Sequence, residues 1–129
     1  RNGDLVRNLI KQGTVSACHD ISDGGILIAI AEMALASVKD AMFLGVKITN
    51  PTNIPDHAFF FGEEQSRYIL TSSDANSILE IAKKHNVTAK ILGKTTKHQE
   101  LTIDKIGNIS LKRCFEINER WLPEYTKTA

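Results

Sequence analysis

The stretch His19-Asp-Ile-Ser-Asp-Gly-Gly25 runs directly into Ile26-Leu-Ile-Ala-Ile-Ala-Glu-Met-Ala-Leu-Ala36, and this junction constrains the fold most. The second half is apolar on nearly every side, with Glu32 its only charge. A helix of that kind must be buried over most of its circumference, and its alanines let neighbouring elements come close. The run Val15 to Asp20 ahead of it suits one strand. At 129 residues the chain fits one compact domain, 1–129, with too little sequence for two independent cores.

The other elements follow from periodicity. Leu5, Leu9 and Ile10 share one face of a helix over Gly3 to Gln12, with Asp4 near its start and Gly13 just past its end. Phe43 to Ile48 reads as a strand, Thr49 to Pro55 as a loop, Asp56 to Phe61 as a short helical turn, and Arg67 to Thr71 as a strand. Asp74 is placed to cap a helix whose stripe is Ile78, Leu79, Ile81 and Ala82. Its last turn carries Lys83, Lys84 and His85, which suit the negative end of the dipole, and Asn86 is its stop. Val87 to Gly93 alternates like a strand. Leu101 to Asp104 and Ile109 to Lys112 alternate across Lys105-Ile106-Gly107-Asn108, which predicts a hairpin. A last helix over about Cys114 to Leu122 puts Ile117 and Trp121 on one face. That order of elements predicts an α+β sandwich, with helices covering a mixed or antiparallel sheet.

Composition removes several function classes. Sixteen Lys plus Arg against fifteen Asp plus Glu leaves a charge of +1, without the basic excess that nucleic acid or a membrane surface attracts. No apolar run reaches the length of a bilayer span. Cys18 and Cys114 lack metal-type partners at short spacing, so both read as reduced thiols, which with no secretory signal points to the cytosol. The chain opens on Arg rather than Met, as a piece of a longer polypeptide would.

The glycine corner carries chemistry. A helix N-terminus offers free N–H groups and a positive dipole end, and Gly24 and Gly25 let a ligand approach the backbone. That suits a phosphate, yet Asp20 and Asp23 sit at the same place and repel a polyanion. The conflict disappears when Mg²⁺ lies between carboxylate and phosphate, its usual setting. The alternative is purely local, with Ser22 or Asp23 as N-cap and the glycines as a tight turn. His19 has no His or Cys companion and reads as a packed or hydrogen-bonded side chain. The corner is neither a Walker loop nor a dinucleotide fingerprint.

A second cluster, Phe59-Phe-Phe-Gly-Glu-Glu-Gln-Ser-Arg67, precedes a strand. It holds three of the five phenylalanines, a packing anchor. Glu63, Glu64, Gln65 and Arg67 could grip a ribose, a phosphate or an amide. Equally, they could form a solvated loop with one internal salt bridge.

Together these stretches, in this order, with Phe-Gly-Glu-Glu-Gln-Ser-Arg-Tyr after the glycine corner and Asn-Gly-Asp-Leu-Val-Arg at the opening, closely resemble the phosphoribosylformylglycinamidine synthase family. The likeness is to the C-terminal domain of its large ATP-using subunit, and it weakens after about Lys94. It implies an α+β three-layer sandwich of a mixed sheet with flanking helices, as in the C-terminal domain of aminoimidazole ribonucleotide synthetase-like enzymes. It also implies an ATP- and glutamine-dependent carbon–nitrogen ligase of the amidotransferase type. Such an enzyme makes formylglycinamidine ribonucleotide from formylglycinamide ribonucleotide in purine biosynthesis, using ATP and Mg²⁺.

By that resemblance Asp20 matches a Mg²⁺ ligand, with Asp23 beside it, and Ser22 matches a residue contacting nucleotide next to Gly24 and Gly25. Glu63, Glu64 and Gln65 align with a substrate-contacting Glu-Ser-Gln, from which the acid at Glu64 departs by repelling a substrate phosphate. The catalytic histidine, the ATP-binding lysine and most Mg²⁺ ligands belong to other domains of the family's polypeptide, so no catalytic residue is expected here. The implied partners are those domains and, in a short-form enzyme, separate glutaminase and small subunits; if Ala129 is the natural end, the absence of a fused glutaminase leans towards the short form. The competing expectations are a structural module without a ligand and a domain of another ATP-dependent kinase of the superfamily. The helix from Ile26 and the three phenylalanines are the apolar surfaces through which an isolated domain is expected to self-associate.

Overall fold

Helix α1 (Asn2–Lys11) buries Leu5 and Leu9 as expected, but Val6 takes the third buried place and Ile10 faces solvent. Strand β1 (Ala17–Asp20) follows, then α2 (Gly25–Ala36), β2 (Gly45–Ile48), α3 (Asp56–Phe61), β3 (Tyr68–Thr71) and α4 (Ala75–Lys84). The chain closes with β4 (Gly93–Thr96), β5 (Glu100–Ile103), β6 (Gly107–Ser110) and α5 (Leu111–Thr126). This is a computed structural model, and it describes residues 1–39 and 42–127; the expectation that turned on Ala129 lies outside them.

The fold is α+β, and its strands divide between two sheets. Strands β1 and β3 pair antiparallel, Cys18 opposite Leu70 and Asp20 opposite Tyr68. The second sheet is mixed, in the order β4-β2-β5-β6, with β2 and β5 parallel and the other neighbours antiparallel. The residues gather into two compact units. One is Arg1–Met33 with Asn50–Leu92, and the other is Ala34–Thr49 with the chain from Gly93 onward.

In the first unit Leu5 and Leu9 of α1 meet Ile78 and Ala82 of α4, with Val15, Leu70, Ile81 and Val87 packed around them. Both helices contribute residues four apart, because that spacing stacks side chains on one face. The Asp74 carboxylate accepts from the Ser77 N–H at 3.0 Å and caps α4. At the other end Asn86 takes a left-handed φ of 53°, as a helix stop requires. In the second unit Ile48, Leu101 and Leu111 are almost wholly buried. Phe43 lies 5.4 Å, centroid to centroid, from Phe115.

Four further expectations change. Residues 87–92 form no strand, because Val87 donates to the Ala82 carbonyl and packs in the α1–α4 cluster. Lys90 meanwhile reaches the Pro51 carbonyl. Alternation here records those anchors rather than a ladder. The hairpin turn falls earlier, at residues 104–106, with Lys105 at φ 63° and Gly107 already inside β6. Helix α5 begins at Leu111, three residues ahead of expectation, because the Ser110 hydroxyl caps it by accepting from the Arg113 N–H. It continues past Pro123 to Thr126.

The expected association surface is also mostly interior. Ile26, Leu27, Ala29, Ile30, Phe59 and Phe60 are buried, leaving Ile28 and Phe61 exposed. Among the described residues, no helix is long and apolar enough to cross a membrane.

Leu9 is 1% exposed at the centre of the α1–α4 cluster. Its replacement by Ala is expected to cost about 2–5 kcal/mol in urea unfolding, the range for a buried leucine leaving a cavity. Exposed Ile10 on the same helix is expected to change stability by about 0.5 kcal/mol or less when truncated.

Candidate functional site

Antiparallel pairing of β1 with β3 brings the exit of one strand beside the entry of the other. The Ile21 N–H continues the ladder by donating to the Arg67 carbonyl at 2.9 Å. Residues 20–25 and 63–67, far apart in sequence, therefore share one end of the two-stranded ribbon. They meet directly, for the Gly24 N–H donates to Glu63 Oε1 at 2.8 Å. A carboxylate at the start of a helix is favoured by the dipole and by the helix's unpaired N–H groups.

Both glycines are required by backbone shape. Gly24 and Gly25 take φ of +79° and +69°, which side chains rarely tolerate. A Cβ on Gly25 would lie 2.7 Å from the Phe60 carbonyl oxygen and the Phe61 carbonyl carbon. The close approach that glycine permits here is therefore to the end of α3. The Gly25 N–H closes a turn on the Ser22 carbonyl at 3.1 Å.

The acidic side chains have different surroundings. Asp20 is 70% exposed, with Oδ1 3.7 Å from His19 Nδ1. Asp23 and Ser22 are exposed as well. Among the described residues no group of three or more His, Cys, Asp or Glu gathers to hold a metal ion. Asp20 and Asp23 fit the role of one or two hard oxygen donors that a nucleotide's phosphates would complete, which is how Mg²⁺ is commonly held. Glu64 is engaged with Arg67 in an ion pair, and the Arg67 guanidinium lies 5.9 Å above the Phe59 ring. Gln65 is exposed.

His19 is held as a hydrogen-bonded side chain. One ring nitrogen meets the Asp20 carbonyl at 2.5 Å, and the other lies 3.0 Å from Glu32 Oε2 on α2. The single charge in the apolar helix thus faces the strand that precedes it. Burial pushes the Cys18 thiol up from its ordinary value, and the negative charge of Asp20 adds to the shift.

Sequence reasoning named every residue of this corner but treated it as two clusters. It missed the Glu63–Gly24 bond and the His19–Glu32 pair, because neither separation follows a helix or strand period. The free N–H groups expected at the start of α2, which need acceptors, are the one signal that could have pointed towards an acid such as Glu63.

The architecture defines an α+β domain with an acidic strand-to-helix corner, closed over by the loop that follows an aromatic helix. The chain belongs to the family of the AIR synthase related protein, C-terminal domain, whose model matches residues 2–106. It is 42% identical over 123 residues to the phosphoribosylformylglycinamidine synthase subunit PurL of Granulibacter bethesdensis, covering 95% of this chain and 16% of that protein. To the same-named subunit of Parvibaculum lavamentivorans it is 43% identical over 127 residues, covering 97% and 16%.

The structure of PurLQS from Thermotoga maritima shares the fold, with a TM-score of 0.70 at 22% identity, over 84% of this chain and 20% of that one. T. maritima PurL complexed with FGAR gives 0.69 at 20% identity, over 87% and 20%. With ATP bound, the same protein gives 0.70 at 18%, over 87% and 20%. The chain thus spans about a sixth of the length of its curated relatives.

Replacing Gly25 by Ala is expected to destabilise more than the same change at Gly24. The first drives Cβ into backbone, while the second meets the movable side chain of Ile28. Positive φ alone costs of order 1–3 kcal/mol for a non-glycine residue, and urea midpoints separate the two. For Cys18, Asp20→Asn removes a charge that disfavours the thiolate, so more thiolate is present at any given pH. Iodoacetamide is expected to label Cys18 faster in that variant at pH 8, and an unchanged rate would refute the electrostatic contribution.

Proposed function

We propose that this chain serves as the C-terminal domain, over 1–129, of an ATP- and glutamine-dependent phosphoribosylformylglycinamidine synthase. That enzyme converts formylglycinamide ribonucleotide to formylglycinamidine ribonucleotide in purine biosynthesis, in the cytoplasm. The observation that carries the reading is the meeting of residues 20–25 with residues 63–67 at one end of the β1–β3 ribbon. It unites the two motifs of the family resemblance in one place. Identity above 40% to subunits of that name over nearly the whole chain supports it. So does a fold shared with T. maritima PurL complexed with ATP and with FGAR.

In this reading Asp20 and Asp23 hold Mg²⁺ through hard oxygens, and Ser22 with the Gly24–Gly25 corner lies along the nucleotide. Glu63, Glu64 and Gln65 face the ribonucleotide side. Bound ATP would supply a phosphoryl group to the substrate's amide oxygen with release of ADP, so that ammonia could add at that carbon and phosphate leave. This chain's part is to form one wall of the cleft, while its partners, the remaining domains and in a short form the glutaminase and small subunits, supply the catalytic groups.

A second reading has its own support. The Gly24 and Gly25 N–H groups already have acceptors inside the chain, and Glu64 is engaged by Arg67. A corner satisfied in this way serves equally well as a structural wall that binds no ligand.

Thermal unfolding with and without Mg·ADP separates the two. At a hundred times the dissociation constant a bound ligand adds about 2.7 kcal/mol, and Asp20→Asn is expected to abolish that gain. Absence of any shift in the parent chain favours the structural wall. The isolated chain is expected to release no ADP when supplied with ATP, Mg²⁺, formylglycinamide ribonucleotide and ammonia. Substrate-dependent turnover would overturn its assignment as a wall without catalytic groups.

A further inference from the structure

Helix α5 carries an apolar face that the second unit leaves open. Leu111 is wholly buried and Phe115 packs on Phe43. Further along, Ile117, Trp121, Leu122 and Tyr125 are 53%, 66%, 58% and 67% exposed. Ile117, Trp121 and Tyr125 recur every four residues, so they line one stripe. Trp121 and Tyr125 stack with centroids 5.7 Å apart and planes inclined by 9°. Such a plate is the kind of rigid aromatic anchor on which interfaces depend.

The charges at the start of α5 run against its own dipole. Lys112 and Arg113 occupy the first turn, where there is no acid, while Glu124 lies in the last turn ahead of Lys127 at the C-cap. Alone, this order is unfavourable at the N-terminal end. Beside a second α5 running the opposite way that end is relieved, since Arg113 of each helix meets Glu124 of the other. Parallel pairing would instead set Arg113 against Arg113.

We infer that this face is a self-association surface, on which a second copy of this chain lays its own α5 antiparallel. Ile117 then meets the neighbourhood of Trp121 of the other copy, and Arg113 meets Glu124. Glu124 also lies 4.0 Å from Arg120 of its own helix, so the contact between copies extends an existing charge pair. The four exposed side chains offer roughly 500 Å² per copy, and a pair covers about 1,000 Å², the lower bound of a specific interface. The association is therefore weak and concentration-dependent.

Sedimentation equilibrium of the full chain over about 10 to 300 μM, a range suited to so small an interface, is the test. A monomer–dimer equilibrium is expected, with Trp121 fluorescence shifting to the blue as dimer forms. Trp121→Asp, at an exposed position, is expected to leave a folded monomer. Arg113→Glu is expected to weaken the dimer about tenfold, and Arg113→Glu combined with Glu124→Arg to restore most of the loss. A monomer throughout the range overturns the inference, as does a dimer that survives Trp121→Asp. A dimer indifferent to Arg113→Glu overturns the antiparallel arrangement on which it rests.

Discussion

The bond from the Gly24 N–H to the Glu63 carboxylate organises the chemical end of this molecule. It joins the loop after β1 to the loop after α3, and it places a negative group where α2 has its positive pole. Gly25 completes the join by letting the start of α2 settle against the backbone at the end of α3. Around this point Asp20, Ser22 and Asp23 stay open on one side, and Arg67 holds Glu64 on the other. The corner is thus firm in its backbone and exposed in its acids.

That division bears on the role proposed for this domain. The amides most suited to a phosphate are already satisfied within the chain, whereas the hard oxygens suited to a divalent cation are not committed to one another. A cation would arrive with its own phosphates and need only one or two donors from here. The role proposed for the chain is therefore that of a wall contributing charge and shape, and the chain spans about a sixth of its relatives' length.

Much of the fold was legible locally. The four-residue spacing of Leu5 with Leu9 and of Ile78 with Ala82 foretold two amphipathic helices, and both bury those faces. Asp74 was readable as a cap and Asn86 as a stop, because each acts within one turn of the chain. Val87 to Gly93 misled for the opposite reason. Its alternation comes from anchors to Ala82 and Pro51 rather than from a neighbouring strand, and pattern cannot distinguish the two. The early start of α5 was hidden in Ser110, a capping residue that also ends a strand. In the candidate site the residue types were legible, but their partners were not.

What the sequence determined by itself was therefore local: the Leu5–Leu9 and Ile78–Ala82 helix faces, the Asp74 cap, the Asn86 stop and the acidic, glycine-containing composition of the corner. Tertiary structure alone decided that β2 pairs with β5 across a long excursion of chain, that Glu63 reaches Gly24, and that Glu32 reaches His19. The physical reason is range. Local preferences act over three or four residues, whereas these pairings exist only because strand registry and burial carry distant segments to the same place.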